Sequence, residues 1–178
     1  LQHETGITFI FVTHDQEEAL TMSDRIAVMS KGHILQIGSP RDIYDRPAER
    51  FVANFIGDTN FLEGQVKEIR GAKARIALNA GAEVEAGISE GTSPQGNVTI
   101  VVRPEHAAIQ ARPGADALKG TLENIVYFGT DTHFHVKLAS GPHFIVRQQN
   151  RHGASEEFKT GMPVGVEIGQ NAAQVLKD

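Results

Sequence analysis

A histidine at the end of a short apolar run is the first residue of this chain that could do chemistry. Residues 7–12 favour β structure, His14 follows them, and the acidic, helix-forming segment 15–20 comes next. Open α/β sheets present groups to ligands where a strand passes into a helix. Free backbone amides at a helix start favour an anion such as phosphate. We therefore predict a strand ending near Val12, with His14 placed where its imidazole could reach a phosphate oxygen.

Three other histidines are candidates for a metal site. His133 and His135 fall on one face of a strand, and a turn near residues 140–141 brings His143 back nearby. However, a hairpin about that turn pairs His143 with about Lys137 rather than with His135. Apart from Asp131, no acidic partner is evident in the sequence. We interpret these residues as adventitious surface histidines and predict no metal.

Acidic residues directly after His14 could form an acid–base or metal cluster. Asp15, Glu17 and Glu18 instead occupy positions that the helix dipole favours, and no basic partner is spaced for catalysis. We predict that they form a solvated helix start.

Two further groups of polar and aromatic residues have structural interpretations. Pro104 should end the strand 98–102, which leaves Arg103 and Glu105 to pair locally. Tyr127 and Phe128 could stack on a ligand, but the sequence offers no basic stripe beside them, so we expect them in the core.

Composition excludes several functional classes. The 178 residues include 40% hydrophobic and 22% charged residues, as in ordinary globular proteins. A net charge of −5 argues against a general nucleic-acid binder. The absence of cysteine excludes a disulfide scaffold and a thiolate metal site. No apolar run approaches the roughly 20 residues that cross a bilayer, and no signal peptide is evident, so we expect no direct membrane insertion.

The chain up to Gly57 reads as alternating strands and helices. The predicted elements after the first strand are a helix at 15–23, strands at 25–29 and 33–37 joined by a glycine turn, a helix capped by Ser39 with Pro40 at its first position, and a helix at 48–56.

Beyond Asn60 the pattern changes to short strands between glycine-rich turns, which is typical of a small all-β barrel or sandwich. The predicted strands cover residues 62–66, 74–78, 83–87, 98–102, 117–128, 132–138, 143–148 and 164–168.

Several segments resemble one protein family. Residues 12–20, Val-Thr-His-Asp-Gln-Glu-Glu-Ala-Leu, resemble the switch-histidine segment of ABC transporter ATPase subunits. Residues 44–48, 51–57 and 60–64 resemble the junction between the nucleotide-binding domain and the accessory domain of importer ATPases. Residues 102–105 and 129–132 resemble parts of that accessory domain, the transport-associated OB-type (TOBE) fold of the spermidine/putrescine, ferric-iron and maltose importers. The amino-acid sequence of this junction is most similar to that of the polyamine importers.

The resemblance implies a mainly β fold. An OB-like barrel or sandwich at 58–178 would follow a truncated α/β remnant of an ABC nucleotide-binding domain at 1–57. In the family, the switch histidine contacts the terminal phosphate of ATP, which assigns that role to His14 in a complete subunit using Mg-ATP.

The remaining ATPase motifs have no match in the sequence. The nearest P-loop spacing, Gly91 to Gly96, is followed by Asn97 and Val98, where the motif needs Lys and Ser/Thr. The signature sequence and the Asp-Glu pair that follows a strand are also missing. We therefore expect this stretch of chain to be inactive alone and to hold no cofactor.

The resemblance also implies partners and a location. They are a second copy bound through the β domain, the permease subunits of the importer, and a peripheral position on the cytoplasmic face of the membrane. The accessory domain would keep the dimer together and receive regulatory signals. Two other functions stay open, a free-standing OB-type nucleic-acid module and a histidine metalloprotein. The sequence leaves the transported solute undetermined, with iron or a sugar beside a polyamine.

Overall fold

A small unit of helices and one hairpin precedes two β units in the computed structural model, which describes residues 2–151 and 158–178. The predicted domains 1–57 and 58–178 include residues 1 and 152–157, which lie outside the described residues, and the boundary between the domains stays a prediction. The helices are short: α1 Gln2–Thr5, α2 Gln16–Met22, α3 Pro40–Asp45 and α4 Arg50–Phe55.

The described residues form twelve strands, and most of the chain after residue 59 belongs to them. They are β1 Ile26–Ser30, β2 His33–Gly38, β3 Asn60–Arg70, β4 Lys73–Leu78, β5 Glu83–Gly87, β6 Asn97–Val102, β7 Ala107–Gln110, β8 Leu118–Tyr127, β9 Asp131–Leu138, β10 His143–Gln149, β11 Pro163–Ile168 and β12 Ala173–Val175.

Local signals place the β1–β2 hairpin and helices α2 to α4 where the sequence predicts them. The β1–β2 hairpin turns at Lys31 and Gly32, both with positive φ, as a two-residue hairpin turn requires. Helix α3 begins with a capping box in which the Ser39 hydroxyl accepts from the Asp42 N–H and the Asp42 carboxylate accepts from the Ser39 N–H. The predicted helices at 15–23 and 48–56 are confirmed, with slightly shorter bounds.

The predicted strand ending near Val12 is wrong for this structure. Residues 6–15 belong to no helix or strand, and apolar side chains among them lie open to solvent, with Ile10 92% and Val12 91% exposed. A strand is stabilised by hydrogen bonds to neighbouring strands, and among the described residues none pairs with this segment. The β propensity of the segment is therefore insufficient by itself.

The strands form two β units and a separate hairpin. Strands β12, β5, β4, β3 and β6 close into a barrel, while β10, β9, β8, β11 and β7 form a five-stranded sheet. The hairpin β1–β2 is a sheet of its own. This architecture confirms the prediction of a mainly β protein with a barrel-like fold, although the sequence did not predict the short strands β7 and β12.

The two β units repeat one plan. Each begins with a long strand containing Leu-x-Gly, and each glycine pairs with a leucine of the next strand, Gly64 with Leu78 and Gly120 with Leu138. Each long strand carries a bulge at the same place, after Val66 in β3 and after Leu122 in β8. These equivalent registers and bulges indicate an internal duplication.

The two units also exchange their last strands. Strand β7 follows β6 along the chain but pairs with β11 of the sheet, whereas β12 follows β11 and returns to pair with β5 and β6 of the barrel. Each unit thus receives a strand from the other, and the barrel closes only with β12, which follows the last strand of the sheet.

One apolar core joins the barrel and the sheet. It includes Ile76 and Ile100 from the barrel with Val136, Phe144 and Val146 from the sheet, all fully buried. The alternation predicted for residues 134–138 is confirmed, because Phe134, Val136 and Leu138 face this core. A second cluster lies between the β1–β2 hairpin and helices α3 and α4: Ile26, Val28, Ile43, Val52 and Ile56.

Candidate functional site

His14 lies on an exposed turn immediately before α2. The Asp15 carboxylate accepts a hydrogen bond from the Glu18 N–H at 3.1 Å and so caps the helix. The Thr13 hydroxyl donates to the Glu18 carboxylate at 2.7 Å and accepts from the Asp15 N–H at 3.0 Å. These contacts confirm that the acidic residues after His14 form a helix start, with the imidazole at the surface beside it.

Among the described residues, Arg103 is the side chain that makes the most hydrogen bonds. It follows β6 directly and is only 3% exposed. Its guanidinium donates five hydrogen bonds to backbone carbonyls: two to Tyr44 and one each to Ala53, Gly57 and Asp58, at 2.9 to 3.2 Å. These carbonyls lie at the C-terminal ends of α3 and α4, where helices leave their last C=O groups without helical partners.

Tyr44 completes this arrangement. Its ring centroid lies 4.3 Å from the Arg103 guanidinium carbon, and its hydroxyl donates to the Glu105 carboxylate. Burial, together with this hydrogen bond, raises the pKa of Tyr44 to about 12. Burial lowers the pKa of Arg103, and electrostatic interactions with Tyr44 and Glu105 partly oppose this effect.

The predicted local pair of Arg103 and Glu105 is therefore wrong. Both residues turn toward the helices, Arg103 to carbonyl oxygens and Glu105 to the phenol of Tyr44. The expectation that Pro104 ends the strand is confirmed, since β6 stops at Val102. An arginine that follows a buried strand directly is the one signal that could have suggested burial, but the sequence contains no indication of its acceptors.

A second set of contacts holds the other end of α4 to the barrel. The Arg50 guanidinium donates to the Glu63 carboxylate at 2.7 Å and to the Thr99 hydroxyl at 2.5 Å. The Arg50 N–H donates to the Asp178 side chain at 2.8 Å. We call the contact region of α3 and α4 with the barrel the helix–barrel junction.

The three candidate histidines do not converge. In the β9–β10 pairing, His143 lies opposite Lys137, as predicted, and His133 lies opposite Arg147. His143 contacts Glu123 at 3.2 Å, a partner that the sequence did not reveal, while His133 lies 3.4 Å from Asp131. Within residues 2–151 and 158–178, no three His, Asp or Glu side chains are grouped to hold a metal ion.

The prediction that Tyr127 and Phe128 are core residues is wrong. Tyr127 is the last residue of β8 and Phe128 follows it into the hairpin turn; Tyr127 is 73% and Phe128 is 59% exposed. The Phe128 ring packs against the His133 ring, with 4.6 Å between centroids.

In the part of the chain that the structure describes, no helix has the length and apolar character needed to cross a membrane.

Residues 100–176 of the chain match the TOBE domain family. A crystal structure of the cytoplasmic molybdate-binding protein ModG with molybdate bound has the same fold, with a TM-score of 0.53 and 19% identity. The match covers 64% of this chain and 92% of ModG.

Closer similarity extends over the whole chain. It is 63% identical over 178 residues to the spermidine/putrescine import ATP-binding protein PotA of Mesorhizobium japonicum, and 56% identical to that of Ruegeria pomeroyi. Identity to the corresponding protein of Pseudomonas aeruginosa is 44%. Each match covers 100% of this chain and 48% of the relative. The chain therefore spans about half the length of the curated relatives it matches, and over that half it is related to spermidine/putrescine import ATP-binding proteins.

Proposed function

We propose that this chain is part of the ATP-binding subunit of an ABC importer for polyamines, spermidine or putrescine. The observation that carries the proposal is 63% identity to a spermidine/putrescine import ATP-binding protein across all 178 residues. In this proposal, residues 1–57 belong to the nucleotide-binding domain and residues 58–178 to the accessory domain. The complete subunit would use Mg-ATP hydrolysis to drive import through permease partners at the cytoplasmic face of the membrane.

His14 would contact the terminal phosphate of Mg-ATP in that subunit. Its exposed position at a capped helix start supports the proposal, since the imidazole can approach an anion from solvent. The exposed apolar segment 7–12 supports it too, because an added sheet neighbour would cover these side chains and align His14 at a strand end.

The β units would act as an accessory module without hydrolytic chemistry of their own. They would hold two copies of the subunit together and receive regulatory signals. The helix–barrel junction supports this assignment, because it fixes α3 and α4 to the barrel at both ends of α4.

Calorimetric titration of the 178-residue chain with Mg-ATP tests whether these residues bind ATP without the rest of the proposed subunit. We expect no binding heat, since the sequence contains no P-loop. Binding at micromolar affinity would contradict the proposal. Light scattering tests the proposed dimerisation. A mass that remains that of a monomer as the protein concentration rises would contradict it.

The role of His14 is tested in a complete subunit that contains this sequence, assembled with its permease partners. Polyamine-stimulated ATP hydrolysis should fall about 100-fold in His14→Ala, the cost of losing one group that stabilises charge in a transition state. His33→Ala is the matched control, because His33 is an exposed histidine of β2. Equal hydrolysis by the two variants would contradict the phosphate-contact role.

A nucleic-acid-binding module is a second candidate, favoured by the exposed rings of Tyr127 and Phe128, on which bases could stack. The net charge of −5 opposes it. A mobility-shift assay with single-stranded oligonucleotides at moderate salt decides, and no shift is expected.

A further inference from the structure

The C-terminal ends of two helices meet at one buried guanidinium. Arg103 belongs to the barrel side of the junction, yet all five of its hydrogen bonds reach carbonyls of residues 44–58. Three of these acceptors, Ala53, Gly57 and Asp58, lie at the end of α4 and in the chain leaving it. The remaining bonds go to Tyr44 in α3.

This arrangement depends on a positive, planar group. A guanidinium presents donors in several fixed directions, so one side chain can serve two helix ends at once. Partial negative charge collects at helix C-termini, so the cation is favourable there even though burial disfavours its charge. The Tyr44 ring, 4.3 Å away, covers one side of the guanidinium carbon.

The opposite end of α4 is held in a weaker way. Arg50 and Glu63 form an ion pair whose side chains are 43% and 54% exposed, and such pairs contribute little. The other bonds at that end are one from the Arg50 guanidinium to the Thr99 hydroxyl and two made by residues 177 and 178, which donate to Ala48 and accept from Arg50. Arg103 therefore dominates the polar attachment between helices and barrel.

We infer that Arg103 attaches α3 and α4 rigidly to the barrel, so that the two helices and the barrel move as one rigid body. Displacement of the helices is then passed to the barrel instead of being absorbed in the segment 56–59. Arg103 is a positioning residue, and this inference stands whether or not the proposed importer function is correct.

The experiment uses the 178-residue chain with Arg103 replaced by Met or Lys. Methionine keeps the apolar length without donors, and lysine keeps the charge but loses the planar fork. The control is Val136→Ala in the sheet, where Val136 is fully buried in the main core away from the helices. Hydrogen exchange is compared between residues 50–57 and strands β3 and β9.

In Arg103→Met, amides of residues 50–57 should exchange about tenfold faster while the strands change little, because a local attachment has been lost. Arg103→Lys should fall between this variant and the wild type. Val136→Ala should show the reverse distribution, with β9 affected most.

A distance measurement gives a second readout that a purely stabilising role would not change. The chain contains no cysteine, so cysteines at the exposed positions Arg41 in α3 and Lys67 in β3 can carry spin labels uniquely. The distance distribution should broaden in Arg103→Met and stay narrow in Val136→Ala.

Two results would overturn the inference. One is a distribution in the Arg103 variants as narrow as in the wild type, with unchanged exchange at residues 50–57. The other is a uniform increase in exchange across α4 and both β units, which would mean that Arg103 stabilises the whole fold and does not specifically attach the helices to the barrel. If Arg103→Met does not fold, Arg103→Lys decides between the same outcomes.

Discussion

Two glycines at equivalent positions of the β units allow a sharp test of the fold. A Cβ on Gly64 would lie 2.6 Å from Ile76 Cγ2 and 2.7 Å from the Ala77 carbonyl oxygen. A Cβ on Gly120 would lie 2.6 Å from the Lys137 carbonyl oxygen. Both glycines sit in strands paired on either side, so the backbone cannot move away without disturbing a neighbouring strand.

We expect Gly64→Ala and Gly120→Ala each to lower the free energy of unfolding. Overpacking a core costs about 1–3 kcal/mol, whereas replacing glycine by alanine at an open site stabilises by about 0.4–1 kcal/mol. The net loss should be about 1–2 kcal/mol, which lowers the urea midpoint by about 0.5–1 M for a protein of this size.

Equilibrium urea unfolding followed by circular dichroism measures the effect. Gly114→Ala is the matched control, because nothing lies within 4 Å of its Cβ. Its midpoint should stay level or rise slightly. A midpoint for Gly64→Ala or Gly120→Ala as high as that of Gly114→Ala would refute the close strand pairing from which the loss is derived.

Three further predictions concern single polar groups. Asn60→Ala should lower the free energy of unfolding by about 2 kcal/mol, because the Asn60 amide bonds both the N–H and the C=O of one β10 residue, at 2.7 and 2.9 Å. Spectrophotometric titration of Tyr127→Phe should show the remaining phenol, Tyr44, ionising near pH 12, with stability lost as the pH rises from 10.0 toward that value. Burial raises the pKa of Asp131, but the hydrogen bond and charge of Arg147, together with the hydrogen bonds to Thr130 and His133, lower it below the ordinary value of 3.8. The contribution of Asp131 to stability is therefore fully present above pH 3.8 and is lost as the pH falls from there through the folded-state pKa. Asp131→Asn should therefore flatten the decline of the urea midpoint as the pH falls below 3.8.

Each of these predictions has a control or a contrary result. Gln65→Ala, which removes one exposed hydrogen bond to Asn97, should cost much less than Asn60→Ala. A Tyr44 transition near pH 10 would contradict the burial of its ring. An acid profile identical in the wild type and Asp131→Asn would contradict the lowered carboxyl pKa.

Local sequence patterns determined most of the strands and helix caps. Alternation of apolar residues located residues 132–138 and 164–168, and Ser39 with Pro40 located the start of α3, because these signals act within a few residues. The Leu-x-Gly patterns near the starts of β3 and β8 are also present in the sequence, but these residues alone did not predict the duplication.

Only the tertiary structure decided how these segments pair. The exchange of β7 and β12, the exposure of Tyr127 and Phe128, and the acceptors of Arg103 depend on contacts between residues far apart in the chain. The apolar segment 7–12 also shows that composition alone does not determine pairing. It has the composition of a buried strand but no partner strand among the described residues. Side-chain periodicity fixes which face of a segment is apolar, whereas the partner that covers the face is set by the whole fold.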